Sequence, residues 1–228
     1  GQPIQMPELS PLTYGHTDAR LILRVGGSMG DVYGQRLLKR DLNGYILNEE
    51  GVGLAMENKE TYLGSILPKM NMGWSLGFGY KGVNLGMTFT GRFGGIVISE
   101  TQSVLDAAGV SKVSADVRDA GGVQINQSKV SAQTYYQTIQ GTAAYYTYSA
   151  TNVRLGELSL SYTLPKKWFD NKVGMTVGLV GKNLWMIYCK APFDPELTTS
   201  AASNFYQGFD AYMLPSTRNF GFNVKFQF

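Results

Sequence analysis

The densest run of residues able to recognise a ligand lies between positions 94 and 151. There Tyr135, Tyr136, Tyr145, Tyr146 and Tyr148 stand among Gln133, Gln137 and Gln140. Aromatic faces stack on sugar rings and amides exchange hydrogen bonds with hydroxyls, so the segment reads as a sugar-contacting loop. The same residues could instead pack the loop on itself or against a partner protein. Asp116, Arg118 and Asp119 fit an ion pair within this loop better than a Ca²⁺ site, which needs six or more oxygens at ordered spacing. Catalytic chemistry is thin. His16 is the single histidine, with no nucleophile elbow and no paired acids at a recognisable spacing. Cys189 is the single cysteine, which excludes an internal disulfide and a cysteine-based zinc cluster and leaves it as a small residue near a strand end. No metal or cofactor is called for, and the chain reads as no enzyme. A net charge of +3 is too weak to argue for nucleic acid.

The elements that would hold such loops are strands. Only 16% of the 228 residues are charged, against roughly 25% in a soluble domain. There are 28 glycines, and the mean hydropathy is −0.12, so the apolar residues are dispersed. No apolar run is long enough for a membrane helix, and no leader sequence is read at the start. Period-two alternation is strong instead. Met72, Trp74, Leu76, Phe78 and Tyr80 alternate with Asn71, Gly73, Ser75, Gly77 and Gly79, and after Lys81-Gly82 the pattern resumes through Val83, Leu85, Met87, Phe89 and Phe93. Alternate side chains of a strand face opposite sides, and a two-residue gap containing Gly predicts a tight hairpin. Six such segments are expected, at about 17–26, 71–80, 83–93, 152–164, 172–183 and 217–228. Ile22 weakens the first, and a phase shift near Gly156 predicts a bulge in the fourth.

The greasy faces carry no charge, and the opposite faces are small and polar. Short and long connections alternate: Lys81-Gly82 and 165–171 are short, whereas 27–70, 94–151 and 184–215 are long. Aromatic residues (Trp74, Tyr80, Phe93, Tyr162, Trp168, Trp185, Tyr188) gather near strand ends as an interfacial girdle would. The predicted fold class is therefore all-β, an antiparallel up-and-down meander forming part of a large outer-membrane β-barrel with long extracellular loops. In such a wall Arg92, Lys172, Lys182 and Lys225 would face the lumen; a hairpin at Asn43-Gly44 would raise the strand count to eight, the minimum for a small self-contained barrel.

Several short motifs, in order, resemble the C-terminal region of SusC/RagA-type TonB-dependent outer-membrane transporters of Bacteroidetes. They are GGSMGDVYG (26–34), DLNGYIL (41–47), LGSILPK (63–69), SLGFGYKGVNLGMTF (75–89), LSLSYTLP (158–165), GKNLW (181–185) and DPEL (194–197). The resemblance implies about 22 barrel strands around a plug in the whole transporter, of which this chain would be a C-terminal portion without the plug. It implies residence in the outer membrane of a Gram-negative bacterium, a SusD-like surface lipoprotein as lid, and uptake of an oligosaccharide or peptide driven by TonB-ExbB-ExbD through the missing plug. It also implies that the alternating end, Phe220, Phe222, Val224, Phe226 and Phe228, serves as a membrane-assembly signal, and that Asp194-Pro195-Glu196 shapes a loop. A self-contained small outer-membrane barrel or adhesin, and a soluble ligand-binding β-domain, are the rival readings.

Overall fold

The computed structural model describes residues 4–5, 17–49, 53–169, 173–197 and 208–227. In chain order the elements are β1 (Ile4–Gln5), β2 (Arg20–Leu23), β3 (Asp31–Leu38), β4 (Asn48–Glu49), β5 (Gly53–Leu54), β6 (Met56–Ser65), β7 (Met70–Tyr80), β8 (Val83–Phe93) and β9 (Ile96–Ser99). There follow α1 (Glu100–Ala107), α2 (Lys112–Asp119), β10 (Val123–Ile125), β11 (Ser128–Val130), α3 (Ala132–Ile139), β12 (Thr147–Ser149), β13 (Asn152–Thr163), β14 (Gly174–Cys189), β15 (Phe209–Asp210) and β16 (Asn219–Gln227). Two compact units divide them. The sheet unit comprises 68–94, 150–194 and 214–228, and the loop unit the rest.

The sheet unit is one five-stranded antiparallel sheet in the order β16-β14-β13-β8-β7. Its strands neighbour each other in sequence order, as an up-and-down meander requires. β7 and β8 pair without a break from Met70↔Phe93 to Tyr80↔Val83. Lys81 and Gly82, with φ of 47° and 86°, both take the left-handed conformation that a two-residue hairpin needs to match strand twist. In β13 the register slips between Leu155 and Glu157 against both neighbours. The bulge at Gly156 moves the apolar residues from odd to even numbers while keeping Val153, Leu155, Leu158, Leu160 and Tyr162 on one face. β14 runs on to Cys189, past the expected limit of 183, because Leu184–Cys189 continues the pairing with the start of β13.

The loop unit is built differently. β1, β2, β3 and β6 form one sheet, and β12, β9 and β15 another, with β15 parallel to β9. Ala19, Leu21, Val32, Ile66, Ile98, Ala143 and Phe209 make one core, and Leu38, Leu54, Ile125, Ala132, Tyr136, Ile139 and Tyr146 a second. Each helix starts on a serine, Ser99, Ser111 or Ser131, whose side chain accepts the backbone N–H three residues on. The Asp18 carboxylate accepts from Gln35 N at 3.0 Å and Ala143 N at 2.7 Å, tying two distant segments together.

Two expectations change here. The segment 17–26 is not a wall strand: only Arg20–Leu23 is extended, it pairs with β1 and β3, and Leu21 and Ile22 are both buried. Adjacent apolar residues point to opposite faces, so a strand carrying both is covered on both sides, which a strand with one wet face cannot be. The connections 27–70 and 94–151 also fold into strands and helices with cores of their own. The Asn43-Gly44 turn is present, with Gly44 at φ 85° and Asp41 N donating to Tyr45 O at 2.9 Å.

Candidate functional site

The most distinctive surface is the aromatic face of the five-stranded sheet. Register places Trp74 beside Phe89, Leu160 beside Leu85 and Leu179, and Leu179 beside Phe222. Trp74 is 63% exposed, Phe78 58%, Leu179 58% and Phe222 66%. Phe220, Val224 and Phe226 share that face and are exposed as well; Phe228 lies outside the described residues. Apolar burial is worth about 1.5–3 kcal/mol per large side chain, so this face leaves on the order of 10 kcal/mol unclaimed in water. A sheet of a self-sufficient domain buries at least one face. Along the edge strands the opposite face is open too: along β7 every residue but Leu76 is exposed, and along β16 every one is.

That opposite face carries Asn71, Ser75, Asn84, Thr88, Thr90, Ser159, Ser161, Asn223 and several glycines. Arg92, Lys182 and Lys225 lie on it, as expected from alternation, while Lys172 falls outside the described residues. It is not simply basic. Lys182 Nζ lies 3.6 Å from Glu157. The main feature that sequence reasoning missed is Arg154, whose guanidinium donates to both carboxylate oxygens of Asp194 at 3.0 and 2.7 Å and to Asn152 Oδ1. Both side chains are about nine-tenths buried. Removing one partner of such a pair costs about 3–5 kcal/mol, because the other charge is stranded. Asp194 ties its loop to β13 through this ion pair. A cation inside a strand whose one other charge is Glu157 was the available signal, but nothing in the sequence named a partner forty residues away.

The tyrosine segment resolves inward. Tyr136 and Tyr146 belong to the second core and are 7% and 3% exposed; Tyr135, Tyr145 and Tyr148 pack against it. Tyr135 and Tyr136 meet edge to face at 5.3 Å, and Tyr145 Oη accepts the Leu38 N–H at 3.1 Å. Tyr136 and Tyr146 are spent on the core and the other three rings are half-buried against it, so core packing accounts for this set without a sugar. Burial, then the Asp106 carboxylate, holds the Tyr146 phenol far above its ordinary range and pushes Tyr148 up to about 12. Tyr136 is raised for the same two reasons; Tyr135 is raised by burial and by Tyr145, with Arg40 opposing. Asp116 pairs with Lys112 at 2.6 Å one turn away, and Arg118 approaches Asp119 at 3.8 Å, so the local charges make ion pairs on α2. His16 is outside the described residues, and Cys189 donates to the Ala191 and Phe193 carbonyls.

Compared by sequence, the chain matches no protein-family model and no curated protein. Compared by structure, it is similar to parts of chains in the RagAB peptide importer. In that importer's open-open state the match covers 99% of this chain and 28% of the other, at a TM-score of 0.57 and 18% identity. In the closed-closed state it covers 86% and 21%, at 0.52 and 19%. A further structure, of the RagAB peptide transporter, matches over 81% and 21%, at 0.53 and 21%. At these identities the likeness is one of fold, and the resemblance read from the sequence motifs is met at that level. The chain spans about a quarter of the length of these neighbours.

Proposed function

We propose that this chain forms a section of the wall and extracellular loops of an outer-membrane β-barrel in a SusC-like TonB-dependent importer. The observation that carries the reading is the charge-free aromatic face, exposed across a sheet whose edge strands are open on both sides. Lipid covers such a face at no cost in desolvated charge, and a wet lumen suits the small polar side opposite. β7, β8, β13, β14 and β16 have 11, 11, 12, 16 and 9 residues, long enough to cross a bilayer at about 9–11 residues per tilted strand. The edges of β7 and β16, unpaired within this sheet, would pair with further wall strands. The partner is a SusD-like surface lipoprotein, the energy comes through TonB-ExbB-ExbD, and the cargo is an oligosaccharide or a peptide. Importers structurally similar to this chain carry peptides, which supports the peptide arm.

The test is made in cells producing the protein with a tag in the Lys81-Gly82 turn. Expected are recovery in the outer-membrane fraction, co-purification of a surface lipoprotein, and energy-dependent uptake of labelled peptide or oligosaccharide that is lost on deletion. Recovery in the soluble fraction without detergent would overturn the reading in favour of a soluble β-domain. Membrane residence without any uptake would favour a structural barrel or adhesin.

A further inference from the structure

Within the loop unit, α1, α2 and α3 border a half-open pocket of about 350 Å³ that the wall reading does not use. Asp106, Ser114, Arg118, Gln133, Tyr136 and Gln137 are among its lining residues. Asp106 is only 5% exposed. Its Oδ1 accepts from Gln102 Nε2 at 2.7 Å and from Ser111 Oγ. Its Oδ2 accepts from no described residue, and Tyr136 Oη likewise has no hydrogen-bond partner among them. Neither atom is among the described side-chain atoms sealed from water without a partner, so both open to water in the pocket, where an ammonium replaces that water with a donor and a countercharge. The C-terminal end of α1, adjoining the cavity, adds further negative potential. At the other extreme of exposure stands Arg118, whose side chain is 62% exposed and whose contact with Asp119, at 3.8 Å, is loose.

The geometry points to a binding site for a small zwitterion of amino-acid size, its ammonium on Asp106 Oδ2 against the Tyr136 ring and its carboxylate on Arg118. The Gln133 and Gln137 amides lie at the same cavity and suit the polar remainder of such a ligand. Charge decides against a neutral sugar: hydroxyls would satisfy Asp106 geometrically but leave its charge uncompensated, whereas an ammonium supplies both donor and countercharge. Arg118, placed to exclude a plain cation, becomes the partner of the ligand's carboxylate. The site belongs to the loop unit alone and stands whether or not the sheet lies in a membrane.

Calorimetric titration of the purified full chain with L-glutamine tests it, beside N-acetyl-glutamine, glutamine amide and maltose. Saturable binding of L-glutamine is expected, weakened about tenfold or more by N-acetylation or by Asp106→Asn, and similarly by amidation or Arg118→Gln. Gln137→Trp, at an exposed lining position, should fill the cavity and abolish binding with the melting curve unchanged. If Asp106→Asn fails to fold, the N-acetyl comparison carries the same point on the unaltered protein. Absence of saturable binding, indifference to N-acetylation, survival of binding in Gln137→Trp, or preference for maltose would each overturn the proposal.

Discussion

In the loop unit Leu21, Val32 and Ile98 are sealed within a core, and even tyrosines are turned inward. In the sheet unit Phe78, Leu179 and Phe222 stand in the open, and the best-buried side chains include the charged Arg154 and its neighbour Asn152. Both units draw on the same apolar residue types. They differ in which solvent those residues are matched to: the first hides them from water, and the second displays them on one continuous face. Stability in water is therefore a property of the loop unit, while the sheet needs an apolar phase or an apolar partner to reach the same balance.

Substitutions can break that contrast. The largest effect is expected for Tyr146→Ala, which empties the second core and should cost about 3–5 kcal/mol, read by denaturant unfolding followed through tyrosine near-ultraviolet circular dichroism. The penalty should be the same in detergent and in lipid vesicles. Phe222→Arg on the sheet should behave oppositely: about 2–4 kcal/mol in a bilayer if the residue sits near the midplane, but close to neutral in an aqueous unfolding experiment on the loop unit's signal. Equal penalties for Phe222→Arg in both media would erase the distinction.

Raising the pH sharpens the contrast from another side. A tyrosine ionises near 10 when unfolded, and the fold raises Tyr148 to about 12 and Tyr146 higher still. The folded unit thus holds its protons more tightly than the unfolded chain. Its stability is fully present below about pH 10 and falls as pH rises from there through the folded values. Alkaline titration should show loop-unit unfolding before these two phenols ionise at 295 nm; their ionisation near pH 10 in the intact fold would contradict the burial. The smallest effect concerns a helix cap. Ser131→Ala removes the acceptor of Thr134 N at 3.1 Å and should cost about 1 kcal/mol, measured by hydrogen exchange along α3, with the sheet unaffected.

Much of the sheet was legible because its information is local. Alternation along Met72–Tyr80, the Lys81-Gly82 turn and the slipped phase at Gly156 each concern residues within a few positions of one another. The loop unit was not, for two physical reasons. α1, α2 and α3 are eight residues each, about two turns, too short for a 3.6-residue period to separate from noise. The direction a tyrosine faces depends on distant partners such as Leu38 and Leu54, which sequence order does not bring together. The Arg154–Asp194 pair escaped for the same reason. β2 was misassigned because two arginines flanking alternate leucines imitate a half-wet strand, while Ile22, the residue that contradicts it, is a single position.

In the proposed function the aromatic face of the sheet meets lipid and the small polar face meets water. Single-cysteine labelling of the protein in outer-membrane vesicles tests it most directly, in a background carrying Cys189→Ser. A water-soluble maleimide should react readily at Ser75→Cys, Ser159→Cys and Asn223→Cys, and fail at Phe78→Cys, Leu160→Cys and Phe222→Cys until the protein is unfolded. Comparable labelling of the two sets in the folded protein would contradict the account.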